Sequence, residues 1–366
     1  MNTAEIQIRW LNEHEISYGQ QCLQQLWAPN HILAQNSDLF AWQFRQGPAP
    51  GTLGFLVMEN EDRVLGCTGR VEIPCHSKGS VVPGAAITNA IVDPEYRSHG
   101  LGLRLLDEVY SSMQLVFNIG INTRVAKLYH SMGQYVLNPM PRYVCIADMD
   151  SMNSLLNECA HNAPTAEAFK ACSLLKAPPP CDGYRVKHLS RNHLEQWNRA
   201  WTTIFAPHLQ GVMKDSSYLL WRYYDHPVFD YGIWGVEDSF GNICGLTVTR
   251  VILLPGKIYV LRILEFLAKD QQAGKALSRF LWETVPPGTA FVEHIALGSL
   301  WKPLAEMGLS EAGNSLFTIY FNPPDFNYRN MISSFQVSPF FGKSADFIHS
   351  PSTYLTIADG DQDRPN

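Results

Sequence analysis

The chain has 366 residues, 46% hydrophobic and only 17% charged, with a formal net charge of −6. That length predicts two domains, and the low share of charge, against about 25% in typical domains, points to a compact body with much interior. An acidic balance with no basic run excludes a non-specific nucleic-acid binder, because phosphate contacts need clustered Lys and Arg.

The N-terminal stretch MNTAEIQIRWLNEHE is polar and lacks the apolar core of a secretory signal. No apolar run approaches the ~20 residues of a membrane-spanning helix. A soluble, cytoplasmic protein is the expectation. Cys22, Cys67, Cys75, Cys145, Cys159, Cys172, Cys181 and Cys244 are scattered, with no C-x-x-C pair. Such spacing predicts buried thiols in a reducing compartment, not a disulfide framework. Cys75-His76 lacks two further ligands at suitable spacing, so no metal is expected.

In chain order, the first expected element is a strand over Ile6 to Leu11. Two helices follow, the second carrying Trp42, and then strands at Gly54 to Met58, Val64 to Ile73 and Ser80 to Val92. A helix is expected from Gly100 to Met113, then the strand LVFNIGIN. A helix after it stops at Gly133, glycine being usual just past a helix end. One or two strands fall between Tyr135 and Met149. Strands joined by crossover helices define a layered α/β fold.

The chain also repeats itself. Leu39 to Gly66 aligns without a gap on Tyr218 to Gly245, at a constant offset of 179 residues. Trp42 falls on Trp221, Phe44 on Tyr223, Pro48 on Pro227, Val57 on Val236 and Gly66 on Gly245. The expected organisation is a unit over 1–150, a linker over 151–182, a second unit over 183–325 and a tail over 326–366. The linker is Ala- and Pro-rich, with Pro178, Pro179 and Pro180 in a row. The tail holds Asp359, Asp361 and Asp363, and a solvated polar terminus is the favoured expectation over a role in orienting an amine.

The stretch VDPEYRSHGLGLRLLDEVY joins a strand to an amphipathic helix. Pro94 ends the strand, since it cannot donate to the ladder. Gly100 and Gly102 then open a helix, where exposed backbone N–H groups and the helix dipole favour an anion that glycine lets approach closely. A P-loop is excluded, because no Lys-Ser/Thr follows, and a dinucleotide fingerprint is excluded by the missing third glycine and by the loop's late position.

These residues resemble the first signature motif of the GNAT (GCN5-related N-acetyltransferase) superfamily, R-x-x-G-x-G followed by an amphipathic helix. The next family motif, roughly N-x-x-A-x-x-L-Y-x-x-x-G-F, is matched by Asn122, Leu128, Tyr129 and Gly133. Val125 departs from the usual Ala and Gln134 from the usual Phe. The resemblance covers about residues 5–150. It implies two tandem GNAT folds, each a mixed, mostly antiparallel sheet flanked by helices. It also implies acetyl-CoA or another acyl-CoA as co-substrate, held through Val92, Arg97, Ser98, His99, Gly100, Leu101, Gly102, Asn122 and Tyr129. In the second unit Gln271, Gly274 and Ala276 fall on Arg97, Gly100 and Gly102, but Leu304 falls on Tyr129 and Leu297 on Asn122. That unit reads as a degenerate copy.

Acyl transfer to an amine needs alignment of the two reactants, removal of a proton from the ammonium and return of one to the thiolate. The resemblance assigns the acid to Tyr129. Glu72 and His76 are the candidate bases, with a relayed water as alternative. Asn89 and Asn118, polar in otherwise apolar strands, are candidates to line the acceptor site. Ser98-His99 is discounted as a nucleophile pair, since neighbours on a turn should point apart. The expected acceptor is a small primary amine, an amino sugar of surface-polysaccharide biosynthesis being favoured. A FemABX-like aminoacyl transferase, which also pairs two GNAT-like units, stays open, as does a monomer with internal pseudo-two-fold symmetry or a homodimer.

Overall fold

The computed structural model describes residues 6–61, 63–158, 172–298, 301–312 and 331–363. Numbered along the chain, its strands are β1 (Gln7–Asn12), β2 (Thr52–Glu59), β3 (Val64–Glu72), β4 (Cys75–Ser77), β5 (Ser80–Val82), β6 (Gly84–Val92), β7 (Leu115–Ile121), β8 (Tyr135–Leu137) and β9 (Arg142–Ile146). There follow β10 (Arg185–His188), β11 (Gln210–Val212), β12 (Gly232–Glu237), β13 (Ile243–Leu254), β14 (Ile258–Ala268), β15 (Thr289–Leu297), β16 (Ser310–Glu311), β17 (Ile332–Val337) and β18 (Thr353–Thr356).

The first sheet runs β1-β2-β3-β6-β7-β17-β8. All neighbours in it are antiparallel except β6 and β7, which are parallel. The helices Ile16–Leu26 and Ser37–Gln43 cover one face, placing Cys22, Leu23, Leu39, Phe40 and Phe44 against Phe55, Val57 and Cys67. The helix Leu101–Tyr110 covers the other. Its Leu101, Leu105, Leu106 and Val109 recur at helical spacing, so one stripe is buried. Those residues pack on Leu56, Leu65, Ala85 and Val116.

The second sheet repeats the pattern: β10-β12-β13-β14-β15, with only β14 and β15 parallel. The two units exchange strands. β9 leaves the first unit and pairs with β15 and β16, while β17 leaves the second and inserts between β7 and β8. The sheets therefore do not end at residues 150 and 326, which pairing between distant segments hides from a linear reading. The linker's start forms the helix Met149–Glu158, whose Met152 and Leu155 are buried beside Phe291, while Cys159 and linker residues 159–171 lie outside the described residues.

The repeat seen in the sequence has a physical counterpart. Trp42 and Trp221 stack with centroids 5.3 Å apart, and each indole N–H donates to the other residue's carbonyl, at 2.9 and 3.2 Å. Ser80 to Val92 is not one strand. Pro83 interrupts it, and β5 folds back on β4, whose other edge pairs with β11.

The expectation of a solvated tail is overturned. Asp359 and Asp363 are buried. Lys214 Nζ donates to Glu265 and Asp359 at 2.6 Å each, and all three side chains are fully buried. Asp363 accepts from Arg262 at 3.0 Å and from Arg250, while Glu293 pairs with Arg262 and Arg142 at 2.6 and 2.7 Å. Each buried charge needs its partner to offset desolvation. Arg250, Arg262 and Arg222, the last at 3.8 Å, hold the Asp363 carboxyl well below the usual carboxylate range, against the opposing effect of burial.

Replacing Lys214 by Ala strands two buried carboxylates and is expected to destabilise the protein by about 3–5 kcal/mol, read as a lower denaturant midpoint. Buried His76, His226 and His294 have their pKa lowered to about 4, about 3 and about 4, chiefly by burial. Unfolded histidine titrates near 6.5, so the unfolded chain binds more protons below that pH. Stability is therefore full above about 6.5 and falls as pH drops toward 4. A urea midpoint unchanged between pH 7 and 5 would contradict this.

Candidate acyl-transfer site

The site begins where β6 and β7 part. Their parallel pairing sets Gly84 opposite Leu115, Ala85 opposite Val116 and Ala86 opposite Phe117, and goes no further. Beyond Ala86 and Phe117 the facing edges diverge, leaving main-chain groups that a ligand can pair with. β6 also bulges. Its register against β3 shifts between Ile91 and Thr88, and Asn89 there adopts φ 50°. Left-handed backbone is unusual for a non-glycine residue, though Asn tolerates it best.

At the end of β6 the chain makes the turn Pro94–His99. Asp93 accepts from the Glu95 amide, and Arg97 Nε donates to the Val92 carbonyl at 2.9 Å. Arg97, Ser98, His99 and Gly100 are exposed. Gly100 has φ 71° and starts the helix with no side-chain cap. A Cβ at Gly100 would touch nothing within 4 Å, so glycine answers to the backbone angle there. At Gly102 a Cβ would meet only Val92, at an ordinary 3.7 Å. Packing does not explain that glycine, whereas close approach of a ligand to the helix amides does. Leu101 is buried and anchors the turn.

The matching loop of the second unit differs at this point. Asp270 lies at the start of the helix Gln271–Thr284 and accepts from the amides of Gln272 and Ala273 at 2.9 Å. The helix N-terminus thus carries its own carboxylate. The parting of β14 and β15 is also filled, since the Tyr354 hydroxyl accepts from the Phe266 amide at 2.9 Å and donates to Glu265 at 2.9 Å.

Asn122 caps the helix Thr123–Ser131, accepting from the Val125 amide at 2.9 Å. Tyr129 is buried beside Ile87 and Val116 at the point where the strands part. Its hydroxyl donates to Asn118 Oδ1 at 3.3 Å, and Asn118 Nδ2 donates to Ser334 Oγ at 3.1 Å. Burial, reinforced by Tyr110, holds the Tyr129 phenol well above its ordinary range, so it stays protonated.

The two candidate bases are not in the opening. Glu72 lies across from Ala85, where β6 and β7 are still paired, and its carboxylate is bound by Arg70. His76 is buried in β4, edge-on against Trp201 at 5.1 Å, and pairs with Gly211 of the second unit. Glu72 ends β3 and His76 lies in the β4–β5 hairpin, both away from the parting of β6 and β7. Ser98 Oγ and His99 Nδ1 do meet, at 3.4 Å, contrary to the expectation that they point apart, but both are exposed on the loop.

Other residues reach the opening unannounced. Gln43 Nε2 donates to Thr88 Oγ1 at 3.3 Å, and His31 lies 3.5 Å from Asn89. The tail crosses the β7 side, where Gly360 and Gln362 approach Ile119 and Gly120. A small crevice there is lined by Trp42, Gln43, Trp221 and Arg222 together with Gly360 and Asp361. Of these, Trp42 and Trp221 stand out through the repeat and Asp361 through the tail carboxylates, while Gln43 is a polar residue on an otherwise buried helix face.

Splayed strands, a bulge and a glycine turn at a helix start form an opening whose helix N-terminus suits an anion. The acetyltransferase (GNAT) family model matches residues 20–133, the span that holds the opening and the Gly100 turn, so this part of the chain is similar to a GNAT acyltransferase domain. No curated protein matches the chain. Among solved structures, an Enterococcus faecalis protein described as of unknown function and a probable N-acyltransferase is 13% identical, with a TM-score of 0.59, over 91% of this chain and 72% of that one. A GCN5-related N-acetyltransferase from Kribbella flavida is 15% identical, TM-score 0.55, with the same coverage. N-myristoyltransferase of Saccharomyces cerevisiae with bound myristoyl-CoA is 12% identical, TM-score 0.50, over 93% and 85% of the two chains. These likenesses establish the tandem fold. Among the described residues, no helix is long and apolar enough to cross a membrane.

Left-handed backbone disfavours side chains by about 1–2 kcal/mol. Gly100→Ala is therefore expected to lower stability by that amount while leaving the fold intact, measured by thermal unfolding.

Proposed function

We propose that the first unit binds one acyl-CoA between β6 and β7, with the pyrophosphate at Arg97–Gly102, and transfers a short acyl group to a primary amine. The observation that carries this is the uncapped helix start at Gly100, placed at the end of a strand that has parted from its neighbour. Tyr129, kept neutral by burial at the parting point, is the acid that protonates the leaving thiolate. Asn122 holds the helix that carries it. The second unit is a degenerate copy that binds no CoA, because Asp270 already occupies its helix N-terminus. It serves as a scaffold, giving a monomer with internal pseudo-two-fold symmetry. The favoured acceptor is an amino sugar, and the working compartment is the cytoplasm, where acyl-CoA is made.

Gly100→Glu places a charge and a side chain against the pyrophosphate, and calorimetry should show acetyl-CoA binding abolished; equal affinity in the variant would sink the assignment. Tyr129→Phe should lower turnover about 100-fold with affinity for acetyl-CoA nearly intact. A mass-spectrometric screen of amines, nucleotide-linked amino sugars included, against several acyl-CoAs would identify both substrates. Products confined to amines other than sugars would refute the acceptor class.

A further inference from the structure

Gln134 departs from the Phe usual in the motif it ends, and it is buried. Gly133, at φ 82°, turns the chain back so that the Gln134 amide donates to the Tyr129 carbonyl at 3.0 Å. The side chain reaches Tyr110, its Nε2 donating to the Tyr110 hydroxyl at 2.7 Å. Among the described residues its Oε1 is buried without a partner. A buried amide with an unpaired oxygen is a cost that Phe would avoid, so its donor needs a use. Tyr110 packs in the same buried cluster as Tyr129, with its hydroxyl in hydrogen-bonding reach of Tyr129 and Asn118. An amide nitrogen only donates, so Gln134 takes a lone pair of Tyr110 and leaves the Tyr110 proton pointing elsewhere. Tyr129 in turn donates to Asn118 Oδ1, and Asn118 Nδ2 to Ser334 Oγ. Burial raises the pKa of both phenols. Gln134, Asn118 and Tyr129 pull that of Tyr110 back down, whereas Tyr110 pushes that of Tyr129 further up. A negative charge formed on Tyr129 is therefore better held on Tyr110.

We infer that Tyr110, held by Gln134, is a positioning residue for the acid and passes its own proton to Tyr129 as Tyr129 protonates the leaving thiolate. This rests on the reading of Tyr129 as the acid of an acyl transfer. The amine nitrogen forms the N–C bond to the thioester carbonyl, the C–S bond breaks, and its electron pair leaves on sulfur. Tyr129 gives its proton to that sulfur and takes the proton of Tyr110. The charge rests on Tyr110, against the Gln134 amide, until solvent returns a proton there. Tyr110 is the more exposed of the two phenols, at 8% against 2%. The nitrogen loses one proton to solvent. The balance is one neutral amine and one acyl-CoA giving one amide and one CoA thiol, with no net proton.

The test follows CoA thiol released from acetyl-CoA by hydroxylamine, a small and largely neutral amine, across mixtures of light and heavy water. Two protons in flight make the rate fall along a curve as deuterium rises, whereas one makes it fall along a line. The wild type should give the curve. Tyr110→Phe keeps the ring, and should lower kcat about tenfold, leave the acetyl-CoA KM unchanged and turn the curve into a line. Gln134→Leu should lower kcat about threefold and keep the curve. Wild-type kcat in Tyr110→Phe would overturn the proposal, and so would a lowered kcat with the curve retained, which reveals a structural role. A straight line in the wild type would overturn it too, as would acetyl-CoA binding with no thiol release above the uncatalysed rate. Wild-type kcat in Gln134→Leu would overturn the part given to Gln134. Failure of the wild type to bind acetyl-CoA would instead overturn the transferase reading beneath it.

Discussion

The parting of β6 from β7 is the constraint on which the site depends. A parallel pair that stays zipped has no room for a ligand, and one that never zips has no sheet. Here the pairing stops at Ala86 and Phe117, and the functional groups gather at that point. The bulge at Asn89 turns the strand, Tyr129 packs beneath it, and the Gly100 turn ends it. The corresponding place in the second unit is closed by Tyr354 and Glu265, so two related sheets end in one open and one filled crevice.

What holds the opening in shape comes from both units. β17 borders β7 on the side away from β6, and the tail that follows is pinned by Lys214, Arg250 and Arg262. Buried ion pairs are a weak source of stability but a strong source of specificity in some systems. Asp359 and Asp363 are only two steps from Asp361, so their pairing fixes where the intervening residues cross the opening. The mutual Trp42–Trp221 hydrogen bonds tie the two repeats to each other.

Much of this was legible in the chain. The repeat register aligned Trp42 with Trp221, and the glycine turn with its following helix stands where the pattern of Leu103, Leu105, Leu106 and Val109 put it, although Leu103 is exposed. Local signals sufficed there, because a cap, a turn and an amphipathic stripe depend on residues close in sequence. The strand exchange was not legible, since β9 and β17 alternate like any strand and nothing local names their partner. The same limit hid the charges: Asp363 looks like a solvated terminus until Arg250 and Arg262, a hundred residues away, are brought to it. Glu72 sits opposite Ala85, short of the parting point, and His76 packs on Trp201, placements set by distant strands that no local signal names.

The central claim is that the open crevice of the first unit, and not its counterpart, holds acyl-CoA. Hydrogen exchange of the backbone with and without acetyl-CoA tests it most directly. The account predicts slowed exchange at residues 87–92 and 97–104, with none at 271–278. Protection at 271–278, or none at either loop, would contradict it.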